Sequence, residues 1–218
     1  MTRRLLTAAL CVVALESGGQ ALGAQTANWL TLGGGARAIR LQSRFATGAS
    51  SDVSGVAVGA SSGVEFGRLA LALGYWQGGL DAAPPGTQKQ DVIDGYALLA
   101  LRATSWLKVK GGAEARSYVT AAGTEHWLFW QARLRAERMI VNPSIRGHVE
   151  IWRALSTEVN TPVTVDRAQG GEVGVTLRRA LGPLWARLTY GIDDVRLVGS
   201  ARRQTLEALA FTVGYGGK

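Results

Sequence analysis

The sequence contains a single cysteine, Cys11, which lies in an N-terminal segment that is not expected to belong to the folded domain. The rest of the chain therefore offers no disulfide bond, no thiolate metal site and no cysteine nucleophile. Its histidines and acids show no metal-ligand spacing, and no phosphate-binding or dinucleotide-binding glycine pattern occurs. The sequence predicts no cofactor and no metal site, and a fold that is held together by hydrogen bonds and burial.

Long hydrophobic runs are also absent, apart from residues 5–15. This run follows Arg3 and Arg4 and precedes small residues at positions 20–25. Such an arrangement is typical of a cleaved secretory signal peptide, which we predict at residues 1–24. An uncleaved membrane anchor fits less well, because a spanning helix needs about 20 apolar residues. Any membrane-embedded part of the remaining chain must therefore be built from strands.

Acidic residues are fewer than basic ones, and the chain carries a formal net charge of +8. A secreted basic chain meets lipopolysaccharide and anionic solutes rather than nucleic acid, so we predict no nucleic-acid partner. Residues 25–218 are enough for one domain.

Apolar residues alternate with small or polar ones through most of this domain. In residues 54–76 the alternation continues on both sides of Gly67-Arg68, with Val58 and Leu71 among the large apolar members. A two-residue link that begins with glycine, between two alternating runs, predicts a β-hairpin.

The stretch WLFWQARLRAERM, residues 127–139, is rich in residues that favour a helix. A helix would spread Arg133, Arg135 and Glu137 round its circumference and leave no apolar stripe. A strand places these three residues on one face and the apolar residues between them on the other. The period of two therefore predicts a strand.

The same alternation predicts ten strands, most of them longer than usual. They cover residues 29–41, 54–66, 69–80, 91–103, 106–119, 126–138, 144–155, 169–179, 184–195 and 204–215. The connections are short at one end (67–68, 104–105, 139–144 and 180–183) and mostly long and polar at the other (48–53, 78–90, 156–169 and 194–203, with 120–126 shorter). An even strand number with this loop asymmetry is typical of outer-membrane β-barrels.

Aromatic residues fall near the two ends of these strands. We predict that they form two membrane-interface belts, with Trp29, Phe66, Trp106, Trp185 and Tyr215 at the short-turn end and Tyr75, Trp76, Trp127, Trp130 and Trp152 at the other. Transmembrane barrels carry such aromatic girdles at both interfaces.

By this layout the chain resembles the small bacterial outer-membrane β-barrel proteins as a broad class. Residues 210–215 are similar to the C-terminal assembly signal of that class, although the chain ends on Gly216-Gly217-Lys218 instead of an aromatic residue. The resemblance implies an all-β, antiparallel, up-and-down transmembrane barrel of about ten strands in the outer membrane, with both termini in the periplasm. It also implies contact with the lipid bilayer and lipopolysaccharide, and assembly by periplasmic chaperones and the barrel-assembly machinery. The sequence does not determine the oligomeric state, and a monomer is favoured. The alternative is a soluble, secreted, lipocalin-like barrel that binds a small apolar ligand.

The strand faces that carry charges are expected to line the lumen. Candidates for ion pairs or anion binding are Lys108, Lys110, Glu114, Arg116, Arg133, Arg135, Glu137, Arg146, His148, Glu150, Arg178 and Arg187. A barrel of ten strands is narrow, so these side chains should largely plug it. Centring each hairpin on its turn predicts three facing pairs, namely Lys108 with Glu137, Arg133 with Glu150, and Arg135 with His148. The sequence predicts a structural or surface-interaction role, or a narrow, porin-like channel that favours anions.

No catalytic site is predicted. The omptin proteases, which also have ten strands, need an Asp-Xaa-His element, but His126 follows Thr124-Glu125 and His148 follows Arg146-Gly147. Lipid A deacylases carry His-Xaa-Ser, whereas Leu128 and Glu150 stand two residues after the histidines.

Overall fold

The structure, a computed structural model, describes residues 29–82, 89–120, 123–161, 164–178, 182–198 and 202–216. The predicted signal peptide, residues 1–24, lies outside these ranges. Ten strands are present: β1 (Leu30–Arg44), β2 (Ser50–Phe66), β3 (Leu69–Ala82), β4 (Gln90–Arg102), β5 (Leu107–Thr120), β6 (Gly123–Met139), β7 (Ile145–Val159), β8 (Thr164–Arg178), β9 (Leu184–Val198) and β10 (Arg203–Gly216). No helix among the described residues is long and apolar enough to cross a membrane.

The ten strands form one closed antiparallel barrel. Each strand pairs with its neighbours in sequence, and β1 pairs with β10 to close the sheet. Thirteen or more residues in every strand allow these ladders to run the length of the barrel. The predicted fold class, an antiparallel up-and-down barrel of about ten strands, is confirmed.

Residues 127–139 lie within strand β6, as their period of two predicts. Trp130 and Leu134 are exposed on the outer face, whereas Arg133 and Arg135 point inward. Helix propensity is overridden because the two neighbouring strands supply ladders of backbone hydrogen bonds on both sides of β6. The β2–β3 turn was also predicted correctly, and Gly67 adopts there a positive φ of 61°.

Several strands extend further than predicted at the end of the barrel opposite this turn, which we call the loop end. The predicted loops at 48–53, 156–169 and 194–203 are partly strand, since β2 begins at Ser50, β7 ends at Val159 and β9 ends at Val198. The connections at the two ends consequently differ little in length: 45–49 at the loop end is as long as 140–144 at the turn end.

These extensions belong to a zone in which the polarity of the barrel wall is reversed. Nearer the turn end, the outer face is covered by exposed apolar side chains. We call this set the apolar band; it includes Leu69, Leu71, Leu73, Tyr75, Leu99, Leu101, Val109, Leu134, Val149, Ile151, Val173, Leu177, Leu184, Leu188, Tyr190, Ile192, Leu209, Phe211, Val213 and Tyr215.

At the loop end the apolar residues lie inside. They form a buried cluster, which we call the upper core, of Ile39, Leu41, Val53, Ala57, Leu80, Val92, Tyr118, Trp127, Phe129, Trp152, Ala168, Val195, Leu197 and Leu206. Strand β3 shows the reversal within one element. Its outer face changes from Leu71 and Leu73 to Gln77 and Asp81, while its inner face changes from Ala72 to the buried Leu80.

Candidate functional site in the barrel lumen

All twelve charged residues that were proposed to line the lumen lie on the inner face of their strands. They come mainly from β5, β6 and β7, where charges alternate with residues of the apolar band. Their placement follows from the period of two alone, because every second side chain of a strand points to the same face.

The predicted facing pairs are shifted by two residues. Lys108 lies opposite Arg135 rather than Glu137, and Arg135 lies opposite Glu150 rather than His148. The shift arises because β5–β6 and β6–β7 do not fold symmetrically about the turns that were assumed. Arg133 and Glu150 still form an ion pair of 3.2 Å, but diagonally, since Trp152 is the residue directly opposite Arg133.

Glu114 is the first of two carboxylates that join the inner charges into a network. It accepts hydrogen bonds from Arg116 (2.5 Å), Arg133 (2.5 Å) and Gln131 (3.0 Å). Arg116 continues the network to Asp193 on β9 at 2.7 Å. Because Glu114, Arg116 and Gln131 are buried, these charge-assisted bonds replace the hydration that the groups lose.

Glu150 is the second carboxylate that joins the inner charges into a network. Its carboxylate is 2.5 Å from Lys110, 3.2 Å from Arg133 and 3.5 Å from Arg135. Arg135 also lies 3.5 Å from Glu137, which is 3.5 Å from Arg146 near the turn end. The network is therefore continuous from the middle of the lumen to the turn end.

His148 joins this network through Glu172 on β8 and not through Glu150, the acid that follows it on the same face of β7. Its Nε2 atom lies 2.9 Å from Glu172 on β8, and its side chain is 1 % exposed. The imidazole is thus held in the wall of the barrel by this bond and is covered by its neighbours.

The upper core lies above this network, at the loop end of the lumen. Trp127 packs between Tyr118 and Phe129, with ring centroids 6.0 Å and 5.7 Å apart, and Phe129 continues to Trp152 at 6.2 Å. The Tyr118–Trp127 pair is edge-to-face, an arrangement that aromatic quadrupoles favour. At the rim, Arg202 pairs with Glu125 at 3.1 Å.

Four of the predicted interface aromatics are in fact inside the barrel. Trp76, Trp127, Trp152 and Trp185 are 2–8 % exposed and face inward, so the prediction that they belong to outer belts was wrong. The other six (Trp29, Phe66, Tyr75, Trp106, Trp130 and Tyr215) are exposed.

Glycines opposite these rings explain how a narrow lumen holds them. A Cβ atom at Gly59 would lie 2.5 Å from Trp76, and one at Gly214 would lie 2.3 Å from Trp185. Each glycine is the direct cross-strand partner of its tryptophan. Pairing of an aromatic residue with an inward-facing glycine is the sequence signal that could have assigned these tryptophans to the lumen, once the register was known.

The inner wall consists of two unlike halves. Strands β4–β7 carry most of the charge network, whereas β8–β10 and β1–β3 carry mainly glycine, alanine, serine and threonine. Between them lies a cavity of about 230 Å³, which we call the lumen cavity. Its lining includes Tyr96, Glu172, Arg187, Thr189 and Thr212.

Cations outnumber carboxylates on the inner face, and three of them have no carboxylate within 4 Å among the described residues. These are Lys108, Arg178 and Arg187. The remaining arginines and lysines of the lumen are paired, including Arg37, which was not among the predicted residues. Arg37 binds Asp94 at 2.9 Å and lies over the ring of Trp76 at 3.9 Å.

No group of three or more metal-ligating side chains is placed to hold an ion within the described ranges. The sequence matches no protein-family model and no curated protein. Among solved structures, the outer membrane protease OmpT from Escherichia coli is similar with a TM-score of 0.55 and 8 % identity, over 87 % of this chain and 96 % of that chain.

Two further solved barrels show weaker likeness. The translocator domain of the autotransporter NalP from Neisseria meningitidis has a TM-score of 0.46 and 13 % identity, covering 92 % of this chain and 90 % of that one. Ail, the attachment invasion locus protein of Yersinia pestis, has a TM-score of 0.39 and 7 % identity, covering 86 % and 99 %. The closed ten-strand barrel and its likeness to OmpT confirm, at the level of the fold, the predicted resemblance to outer-membrane β-barrels as a broad structural class.

Proposed function

We propose that the chain is an integral β-barrel of a bacterial outer membrane, with a closed lumen and a structural or surface-interaction role. The apolar band is the observation that carries this proposal. Its leucine, valine and aromatic side chains surround the barrel and are exposed, whereas the charges lie inside. Soluble proteins rarely expose a continuous apolar patch larger than a few hundred Å², so hydrocarbon is the surrounding that fits this surface.

The height of the band fits a bilayer. On β9 it extends from Leu184 to Ile192, and these residues rise roughly 20 Å at about 3.3 Å per residue and a strand tilt of about 40°. The apolar band of outer-membrane barrels is about 25 Å tall. The zone above it, with the upper core inside and polar side chains outside, suits water, as the wall of a soluble barrel does.

The lipocalin-like alternative requires the reverse arrangement. A soluble barrel that binds an apolar ligand would turn residues such as Leu71, Leu73 and Phe211 inward. These side chains are instead 42–54 % exposed, and the lumen cavity is lined by charged groups. The observations therefore favour the membrane-embedded barrel.

A closed lumen fits the two layers that fill it. The charge network around Glu114 and Glu150 occupies the middle, and the upper core occupies the loop end. An ion that crossed the barrel would have to break several buried ion pairs and then pass the mainly apolar upper core, and both steps are unfavourable. This arrangement favours a structural role over the narrow anion channel, which is the second candidate.

An outer row of arginines supports a surface-interaction role. Arg44, Arg203, Arg196 and Arg167 are successive cross-strand neighbours on β1, β10, β9 and β8, above the apolar band. Like charges directly opposite one another destabilise a sheet unless a counter-charge is supplied. Among the described residues Asp194 supplies one counter-charge, which lies 2.6 Å from Arg203 and 4.0 Å from Arg167. Phosphate groups of lipopolysaccharide are proposed as the further partner.

An enzymatic role is not part of the proposal. OmpT is named a protease, but a shared fold does not carry its activity. Of the two histidines here, His148 is covered, and His126 makes a cross-strand bond of 2.8 Å to Ser117 on the outer face. Export by the signal peptide, assembly by chaperones and the barrel-assembly machinery, and a monomeric state belong to the same proposal.

Membrane fractionation followed by planar-bilayer recording tests the proposed function. The protein should enter the outer-membrane fraction, need detergent to stay in solution and migrate faster on gels before boiling than after. In a bilayer it should show no discrete currents. A monodisperse protein without detergent would overturn the membrane assignment, whereas stepwise currents that favour anions would replace the closed barrel with the channel.

A further inference from the structure

Arg187 is the cation of the lumen cavity that lacks a carboxylate. Its Nε atom donates a hydrogen bond to Thr176 Oγ1 at 3.1 Å, and its guanidinium lies 5.1 Å from the ring centroid of Trp185. No salt bridge within 4 Å and no hydrogen bond of the two terminal nitrogens occurs among the described residues. The position of the guanidinium is thus fixed at Nε and over the ring, while its terminal N–H groups are left without partners.

The acids around the cavity are already engaged. Glu172, which also lines the cavity, accepts from His148 at 2.9 Å and lies 4.0 Å from Arg135. Glu114 and Glu150 each hold two or more cations. Arg187 therefore contributes a positive charge that no carboxylate among the described residues balances at contact distance.

The surroundings of Arg187 offer hydrogen-bond donors and space. The hydroxyl groups of Tyr96, Thr189 and Thr212 belong to residues that line the same cavity. A volume of about 230 Å³ exceeds that of one water molecule, which occupies about 30 Å³ in the liquid, several times over.

We propose that the lumen cavity is a binding site for a small oxoanion of phosphate or sulfate size, held by the terminal N–H groups of Arg187. A guanidinium matches two oxygens of such an anion with two parallel hydrogen bonds, and hydroxyl groups can complete its shell. The inference deepens the proposed function and rests on it, because it gives the excess positive charge of a closed lumen a ligand instead of a conduction path.

Binding of inorganic phosphate to the refolded barrel in detergent tests this site. Phosphate should raise the midpoint of thermal unfolding of the wild-type protein above that in sodium chloride of equal ionic strength, and calorimetry should give a saturable isotherm. The Arg187→Gln variant should bind phosphate at least tenfold more weakly. Arg187→Lys keeps the positive charge but lacks the two parallel N–H donors of a guanidinium, so it should bind phosphate with intermediate affinity.

Arg178→Gln is the matched control, because Arg178 also lacks a carboxylate within 4 Å but does not line the cavity. It should bind phosphate as the wild-type protein does. Equal phosphate affinity of Arg187→Gln and the wild type, or no phosphate effect on the wild type, would overturn the site. Gel mobility before and after boiling, measured on the same samples, shows separately whether each variant is a folded barrel and whether the membrane assignment stands.

Discussion

Glu150 has more cationic neighbours than any other single carboxylate described here, and it is 4 % exposed. Lys110, Arg133 and Arg135 all lie within 3.5 Å of its oxygens. Removing one partner from a buried ion pair is costly because the remaining charges keep their desolvation penalty without compensation. The network is therefore most sensitive at its acidic members.

The substitution Glu150→Gln should lower the free energy of unfolding in detergent by about 3–5 kcal/mol, as for the loss of one partner of a buried pair. Urea titration monitored by tryptophan fluorescence measures this change. Glu158→Gln is the matched control on the same strand, since Glu158 is exposed and makes no salt bridge among the described residues. A Glu150→Gln effect no larger than that of the control would show that the network contributes little to stability.

At this scale the sequence predicts where charges point but not which charges meet. Alternation alone places Arg116, Arg133 and Glu150 inside, because it requires only the period of a strand. The pairs Arg116–Asp193 and Arg37–Asp94 join strands that are not neighbours, across the lumen. Such pairs depend on barrel diameter and on stagger, which appear only when the sheet closes.

Strand β6 shows how one element serves two surroundings. Trp127 is 2 % exposed in the upper core, whereas Trp130, three residues later, is 48 % exposed in the outer face. The two tryptophans therefore face opposite sides of the wall, and a β-bulge in the pairing with β7 falls directly after Trp130. The same residue type is packed inside the upper core at one position and exposed on the outer face at the other.

Replacing each tryptophan by alanine should separate these roles. Trp127→Ala removes a ring that packs on Tyr118 and Phe129, so it should destabilise the barrel by about 3–5 kcal/mol through the cavity it leaves. Trp130→Ala should change the unfolding free energy much less, since its outer-face contacts are with the surrounding medium. Denaturant titrations of both variants measure the difference, and equal losses would contradict the assignment of Trp127 to a packed core.

The ten elements and their order could be predicted from alternation and turn residues, but their loop-end limits could not. Alternation predicts a strand equally well whichever face is apolar. Val195 and Leu197 lie three and five residues after Ile192, so the apolar residues change from the outer to the inner face of β9. The sequence pattern across residues 192–197 therefore no longer looks like one alternating strand. The backbone continues without interruption because its hydrogen bonds do not depend on which face is apolar.

The whole molecule has three parts. They are the exposed apolar band, the charge network inside that band, and the zone at the loop end, which has polar side chains outside and the upper core inside. The proposed function gives each part a role: the band faces hydrocarbon, the network braces the narrow lumen around the lumen cavity, and the upper core occupies the end that projects beyond the band. A barrel that spans a membrane and projects into water needs apolar side chains on its outer face in the spanning zone. In the projecting zone it needs them on its inner face.

Fluorescence quenching by lipid-attached nitroxides along the outer face of β3 tests this reversal most directly. Single cysteines can be introduced and labelled at Leu71, Leu73, Gln77 and Asp81 in a Cys11→Ser background, because Cys11 is the sole cysteine of the chain. After insertion into vesicles, labels at Leu71→Cys and Leu73→Cys should be strongly quenched, and labels at Gln77→Cys and Asp81→Cys progressively less. Equal quenching at all four positions, or none at Leu71→Cys and Leu73→Cys, would contradict the membrane-embedded band.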